Sequence, residues 1–210
     1  MGAWIDLVAS DGHRLDAYRA APTSGAARGG VVVVQEIFGL NSHIRSVCDG
    51  YAAEGYEAIA PAIFDRAEKQ VDLPYTPEAT AKGRELRAQI GYDGPILDIE
   101  AAAEALSPAG KVAVVGFCWG GSLAWIAAAR LKVACAVAYY GGQIIQFVHE
   151  APRVPVLLHF GERDALIPAA DREAIARAHP AVPVHVYPAG HGFNCSERAD
   201  FDQACSDLAR

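Results

Sequence analysis

The sequence has little of what marks several common protein classes. Its five cysteines (48, 118, 135, 195 and 205) are odd in number and form no C-x-x-C pair. That argues against a disulfide framework or a redox dithiol and predicts a reduced, cytoplasmic protein. The seven histidines are scattered, with no H-x-x-x-H spacing and no Cys/His quartet, so no metal site is expected. No uninterrupted apolar stretch reaches the ~18 residues that cross a bilayer, so no membrane partner is expected. The opening residues lack a basic segment followed by a long apolar run, and no secretory signal is expected. Positive charge is also short: 18 basic side chains against 25 acidic ones, net −7, without a basic cluster. Nucleic acid is therefore not an expected partner.

What is present suits one domain with a sizeable core, spanning 1–210: 52% of the residues are hydrophobic and no linker divides the chain. "AWIDLVAS" and "RLDAYRA", separated by Asp11-Gly12, predict a hairpin. "GGVVVVQ" (29–35) is a β-branched run bounded by glycine, as in a strand buried on both faces. Further strands are expected in "GYEAIAPAIF", "KVAVVGF", "VACAVAYYGG", "VPVLLHF" and "VPVHVYP". Helices are expected near 42–54, 78–90, 95–107, 120–131 and 169–178, and residues 65–77 read as a surface excursion. This alternation predicts an α/β fold, a mostly parallel central sheet with helices on both faces. A terminal helix is expected from about 197. Its pattern stops without a Gly or Pro signal, so the helix either frays at the terminus or continues in the native chain, and continuation is the favoured expectation.

In such sheets chemistry gathers at the carboxyl ends of strands. "VVGFCWGGS" places Cys118 there, with Gly116 and Gly120 in the spacing of a G-x-S-x-G nucleophile elbow, sulfur replacing oxygen. Glycines relieve the crowding of a sharp strand-to-helix turn, and the helix N-terminus favours a thiolate and a developing oxyanion. The plain alternative is one buried structural cysteine among five. A thiol nucleophile needs a base and an acid to orient it. Asp164, in "GERDALIP", and His191, in "AGHGFN", follow two later strands in the required order. Taken singly, Asp164 could cap a turn or helix and His191 could be a loop residue. The N–H of Trp119 and that of Ile37, after the "VVVVQ" strand, are the candidate oxyanion hole. Glu36 lies beside them, as a helix-entry carboxylate or as a group acting on the thiol proton. Phe38, Tyr139 and Phe193 could line an apolar pocket or simply pack the core.

Together "QEIFGLN", "GFCWGGSLA", "AYYGG", "GERDALIP" and "AGHGFN" make the chain resemble the dienelactone hydrolase (carboxymethylenebutenolidase) family of the α/β-hydrolase fold, over nearly its whole length. The resemblance implies a Cys118–Asp164–His191 triad and hydrolysis of a small ester or lactone through an acyl-thioester, with no cofactor. It also implies that Glu36 contacts the cysteine and helps generate thiolate when substrate arrives. Family members are thought to hold a substrate carboxylate with two arginines. Here Lys82, Arg84 and Arg87 stand in the first region, none at the family position. In the second, Cys195 takes the expected place and Arg198 is the nearest arginine. Arg84 and Arg198 are therefore candidate substrate contacts only, and the substrate stays open. The expected partner is a small molecule, and a monomer is expected. Alternatives are a thioesterase or other acyl hydrolase on the same residues, or a non-catalytic small-molecule-binding protein with a redox-sensitive thiol.

Overall fold

A computed structural model describes residues 2–210. Strands β1 (Ala3–Val8) and β2 (Arg14–Ala20) form the expected antiparallel hairpin, turning at Gly12, whose φ of +84° glycine reaches without a Cβ penalty. Six more strands follow: β3 (Gly30–Val34), β4 (Glu57–Pro61), β5 (Val112–Phe117), β6 (Cys135–Tyr139), β7 (Val156–Gly161) and β8 (Val184–Tyr187). All eight join one sheet in the order β1-β2-β4-β3-β5-β6-β7-β8. The pairs from β4 to β8 are parallel, and β2 meets β4 antiparallel. Every residue of β3 is buried, which accounts for its unbroken apolar run.

The helices are α1 (Ser42–Ala53), α2 (Pro77–Ile90), α3 (Asp93–Ala105), α4 (Trp119–Arg130), α5 (Ala169–Ala178) and α6 (Gln203–Leu208). Asn41 caps α1 by accepting from Ile44 N, and Thr76 caps α2 by accepting from Ala79 N. From β3 the chain crosses through α1 to β4 on one side, then returns through α2 and α3 to β5 on the other. Right-handed crossovers of opposite direction put α1 on one face and α3 and α4 on the other. The reversal opens a crevice between the carboxyl ends of β3 and β5. Glu36 and Cys118 leave the sheet at those two ends. Among the described residues no helix is long and apolar enough to cross a membrane.

The expected terminal helix needs correction. Residues 197–200 form turns and a bend, 201–202 are irregular, and only Gln203–Leu208 is helical, started by Asp202 accepting from Cys205 N at 2.9 Å. Upstream, Asp202 N is tied to Phe193 O, which folds the intervening loop back toward the crevice. The excursion at 65–77 is less superficial than its composition suggests. Asp72 bridges to Gly39, Leu73 N donates to Phe38 O at 2.9 Å, and Asp65 is buried.

His159 is buried in β7 with Nδ1 against the Tyr187 hydroxyl at 2.8 Å. Burial, with a smaller push from His185, pulls its imidazole from 6.5 to about 4. An unfolded chain would take that proton near its ordinary value. The stability held in the neutral form is therefore complete above pH ~6.5 and is lost as pH falls toward ~4. Thermal melts should show a lower Tm at pH 5 than at pH 7.5, with a smaller drop in His159→Gln. Equal drops would assign the acid sensitivity elsewhere.

Candidate active site

Cys118 sits at the junction of β5 and α4 with φ +54° and ψ −115°. Such a conformation is costly for a residue with a side chain and persists only where its surroundings enforce it. Its N–H donates to Tyr139 O at 3.0 Å, and its carbonyl accepts from Gly121 N at 3.0 Å. A Cβ on Gly116 would lie 1.9 Å from Gly120 O, and one on Gly120 would lie 2.4 Å from Val34 O. The glycine spacing in the sequence is thus a steric requirement of this turn.

The loops after β7 and β8 bring two more groups to the thiol. His191 Nε2 lies 3.2 Å from Cys118 Sγ, and His191 Nδ1 lies 2.7 Å from Asp164 Oδ2. Asp164 Oδ1 also accepts from Leu166 N at 2.8 Å, so the turn-capping role and the histidine contact coexist. Both Asp164 and His191 are buried. Burial alone would pull the His191 imidazole down. The facing Cys118 sulfur and the Asp164 carboxylate outweigh it and raise the imidazole to about 10.

Glu36 is 1% exposed. Its Oε1 accepts from Arg198 Nη1 at 3.1 Å and its Oε2 from the Tyr75 hydroxyl at 3.0 Å. Among the described residues no hydrogen bond joins it to Cys118; its two oxygens are taken by Arg198 and Tyr75. The neighbouring N–H of Ile37 and the first N–H of α4, that of Trp119, donate to no group among the described residues. Helix α2 lies hard against this loop: a Cβ on Gly83 would meet Ile37 O at 1.9 Å.

A cavity of about 330 Å³ opens over the thiol. Of the expected contacts it brings together Cys118, His191, Ile37, Phe38, Arg84 and Arg198. Two aromatic expectations fail. Tyr139 points to the opposite side, its hydroxyl on Ala209 O and its ring stacked between Phe117 and His159. The next residue, Tyr140, lies just past the end of β6, where its φ of +40° turns the chain, and its ring lies 5.1 Å from His191. Phe193 is fully buried against Tyr140 and Tyr187 and is core. Thr80, Gln143 and Leu166 also line the cavity and were missed, and Arg87, weighed with Arg84 and set aside, lines it too. The spacing of Thr80, Arg84 and Arg87, i, i+4 and i+7, was a usable signal for one helix face. A larger space of about 530 Å³ lies beside the N-terminal hairpin, lined by Trp4, Asp16 and Asp72, away from the thiol.

The strand order, the crevice and the cysteine elbow define the α/β-hydrolase class. Residues 15–209 match the model of the dienelactone hydrolase family. Carboxymethylenebutenolidase 1 of Cupriavidus pinatubonensis is 30% identical, over 98% of this chain and 92% of its own. A Synechocystis protein provisionally named carboxymethylenebutenolidase is 35% identical, over 90% of this chain and 86% of its own. A solved structure from Klebsiella pneumoniae, provisionally described as a dienelactone hydrolase, superposes with a TM-score of 0.84 at 30% identity. It covers 99% of this chain and 95% of that one. This chain belongs to the dienelactone hydrolase family and is a carboxylic ester or lactone hydrolase.

Proposed function

We propose that Cys118 is the nucleophile and that hydrolysis of a small ester or lactone passes through an acyl-thioester. The observation that carries this is the continuous Cys118–His191–Asp164 hydrogen-bonded chain at three strand ends. The raised His191 imidazole favours a thiolate–imidazolium pair. The thiolate attacks the acyl carbon, a C–S bond forms, and the carbonyl oxygen becomes an oxyanion facing the N–H groups of Ile37 and Trp119. Collapse breaks the C–O bond, and His191 gives its proton to the departing alkoxide. Water then attacks the thioester while His191 takes its proton, and breaking the C–S bond restores the thiolate and frees the acid. Asp164 holds the imidazole with Nδ1–H toward itself and Nε2 toward sulfur. Glu36, the buried carboxylate beside the elbow, assists formation of the thiolate. The small cavity and its three arginines, Arg84, Arg87 and Arg198, suit a compact acyl substrate that carries an anionic group.

The test is a mass-resolved reaction with p-nitrophenyl acetate and small lactones. A transient acetyl adduct on the Cys118 peptide, with turnover, is expected. Turnover without that adduct, unaffected by Cys118→Ser, would remove Cys118 as nucleophile.

A further inference from the structure

The segment between β4 and α2 contributes a group that the reaction above leaves unused. The Tyr75 hydroxyl receives hydrogen bonds from Asn41 Nδ2 at 3.0 Å and from the buried Cys195 thiol at 3.2 Å, and it lies 3.0 Å from Glu36 Oε2. The direction of these bonds follows from the groups. Asn41 Oδ1 is already used in capping α1, so its other end, the amide nitrogen, faces Tyr75 and can only donate. A phenol has one proton to give, and a carboxylate can only accept. With two donors pointing inward, the Tyr75 proton goes to Glu36.

Arg198 takes the other oxygen of the same carboxylate. Its guanidinium also lies 5.6 Å from the centre of the Tyr75 ring, and that ring packs edge-on to Phe38 at 4.5 Å. Glu36 is thereby gripped on both oxygens, by a cation and by a neutral donor of fixed direction. The segment that carries Tyr75 is anchored independently of the hydroxyl. Leu73 bonds to Phe38 O, Asp72 bridges to Gly39, and Gly39, at φ +79°, leaves 1.9 Å between a built Cβ and Val71 O. Deleting the hydroxyl alone leaves this docking in place.

We propose that Tyr75 is a positioning residue for Glu36, its hydroxyl setting the orientation from which the carboxylate serves the Cys118 thiol. The proposal rests on the role given to Glu36 above. It requires that the effect of Tyr75 be transmitted through Glu36, which a merely structural tyrosine would not require.

The test is a cycle of Tyr75→Phe, Glu36→Gln and the double variant, with two readouts. One is steady-state hydrolysis of p-nitrophenyl acetate. The other is the rate at which iodoacetamide alkylates Cys118, followed by peptide mass. Tyr75→Phe is expected to lower kcat about tenfold with KM little changed, and to slow Cys118 alkylation. In the Glu36→Gln background the same change should alter neither rate by more than about twofold. Wild-type rates in Tyr75→Phe, or an equal loss in both backgrounds, would overturn the proposal while Cys118-dependent hydrolysis stood. Hydrolysis that survives Cys118→Ala would instead overturn the reading beneath it. Alkylation reports on Glu36 and Tyr75 even where turnover is slow.

Discussion

Cys118→Ala is expected to lower kcat/KM for esters by about 10⁴-fold or more while the protein stays folded. The sulfur is half-buried, and the polar partner it has is His191. Alanine meets the same backbone strain at φ +54° as cysteine does, so the turn is neither relieved nor worsened. Loss of a few methyl-sized contacts at the cavity floor should leave Tm within about 3 °C of wild type. The variant should also change its neighbour. The sulfur is the strongest influence raising His191, so without it only Asp164 would oppose burial and the imidazole should fall below about 10. Imidazole NMR across pH would read this directly, beside ester turnover and thermal melts. Activity near wild type would place the nucleophile elsewhere.

Gly116→Ala should act on stability and activity together. Its Cβ would come within 1.9 Å of Gly120 O and 2.3 Å of Gly120 C, a backbone contact that no rotamer change relieves. Gly120 cannot retreat, because it already packs on the carbonyls of Val34 and Gln35. The elbow has to open, moving Cys118 away from His191. A destabilisation of about 3–5 kcal/mol is expected, with loss of most activity even in the folded fraction. Gly50→Ala in α1 is the control. Its nearest neighbour would be Arg210 Nη2 at 3.9 Å, so the gain in helix propensity should stabilise by up to ~1 kcal/mol. Denaturant melts of both variants, with ester assays, decide the matter. Equal stabilities would mean that the elbow yields far more easily than its contacts imply.

Much of the site could be read in advance because its cues are local. The glycines around Cys118 follow from one tight turn, and Asp164 and His191 each follow a run of apolar strand residues. Chain order then places all three at one end of a parallel sheet. Tyr139 was misplaced because two tyrosines in a row at the end of a strand do not tell which one faces the crevice. The structure gives that face to Tyr140, whose φ of +40° turns the chain at the end of β6. The start of the last helix was misplaced because residues 197–202 have helical composition but serve a long-range contact.

The amino-acid sequence by itself determined the alternation of strands and helices, the hairpin, the cysteine elbow and which aspartate and histidine would stand at the neighbouring strand ends. These rest on steric and periodic rules that act over a few residues. The tertiary structure alone decided what surrounds Glu36. Arg198 reaches it across 162 positions, and Cys195 meets Tyr75 across 120. No pattern in the chain announces such pairs, because they depend on loops from distant strands converging where the sheet reverses direction. It also brought the separated arginines of α2 and of the loop after β8 to the lining of one cavity. Short-range sterics write the cysteine elbow into the sequence, whereas the groups that hold Glu36 depend on how the whole sheet is assembled.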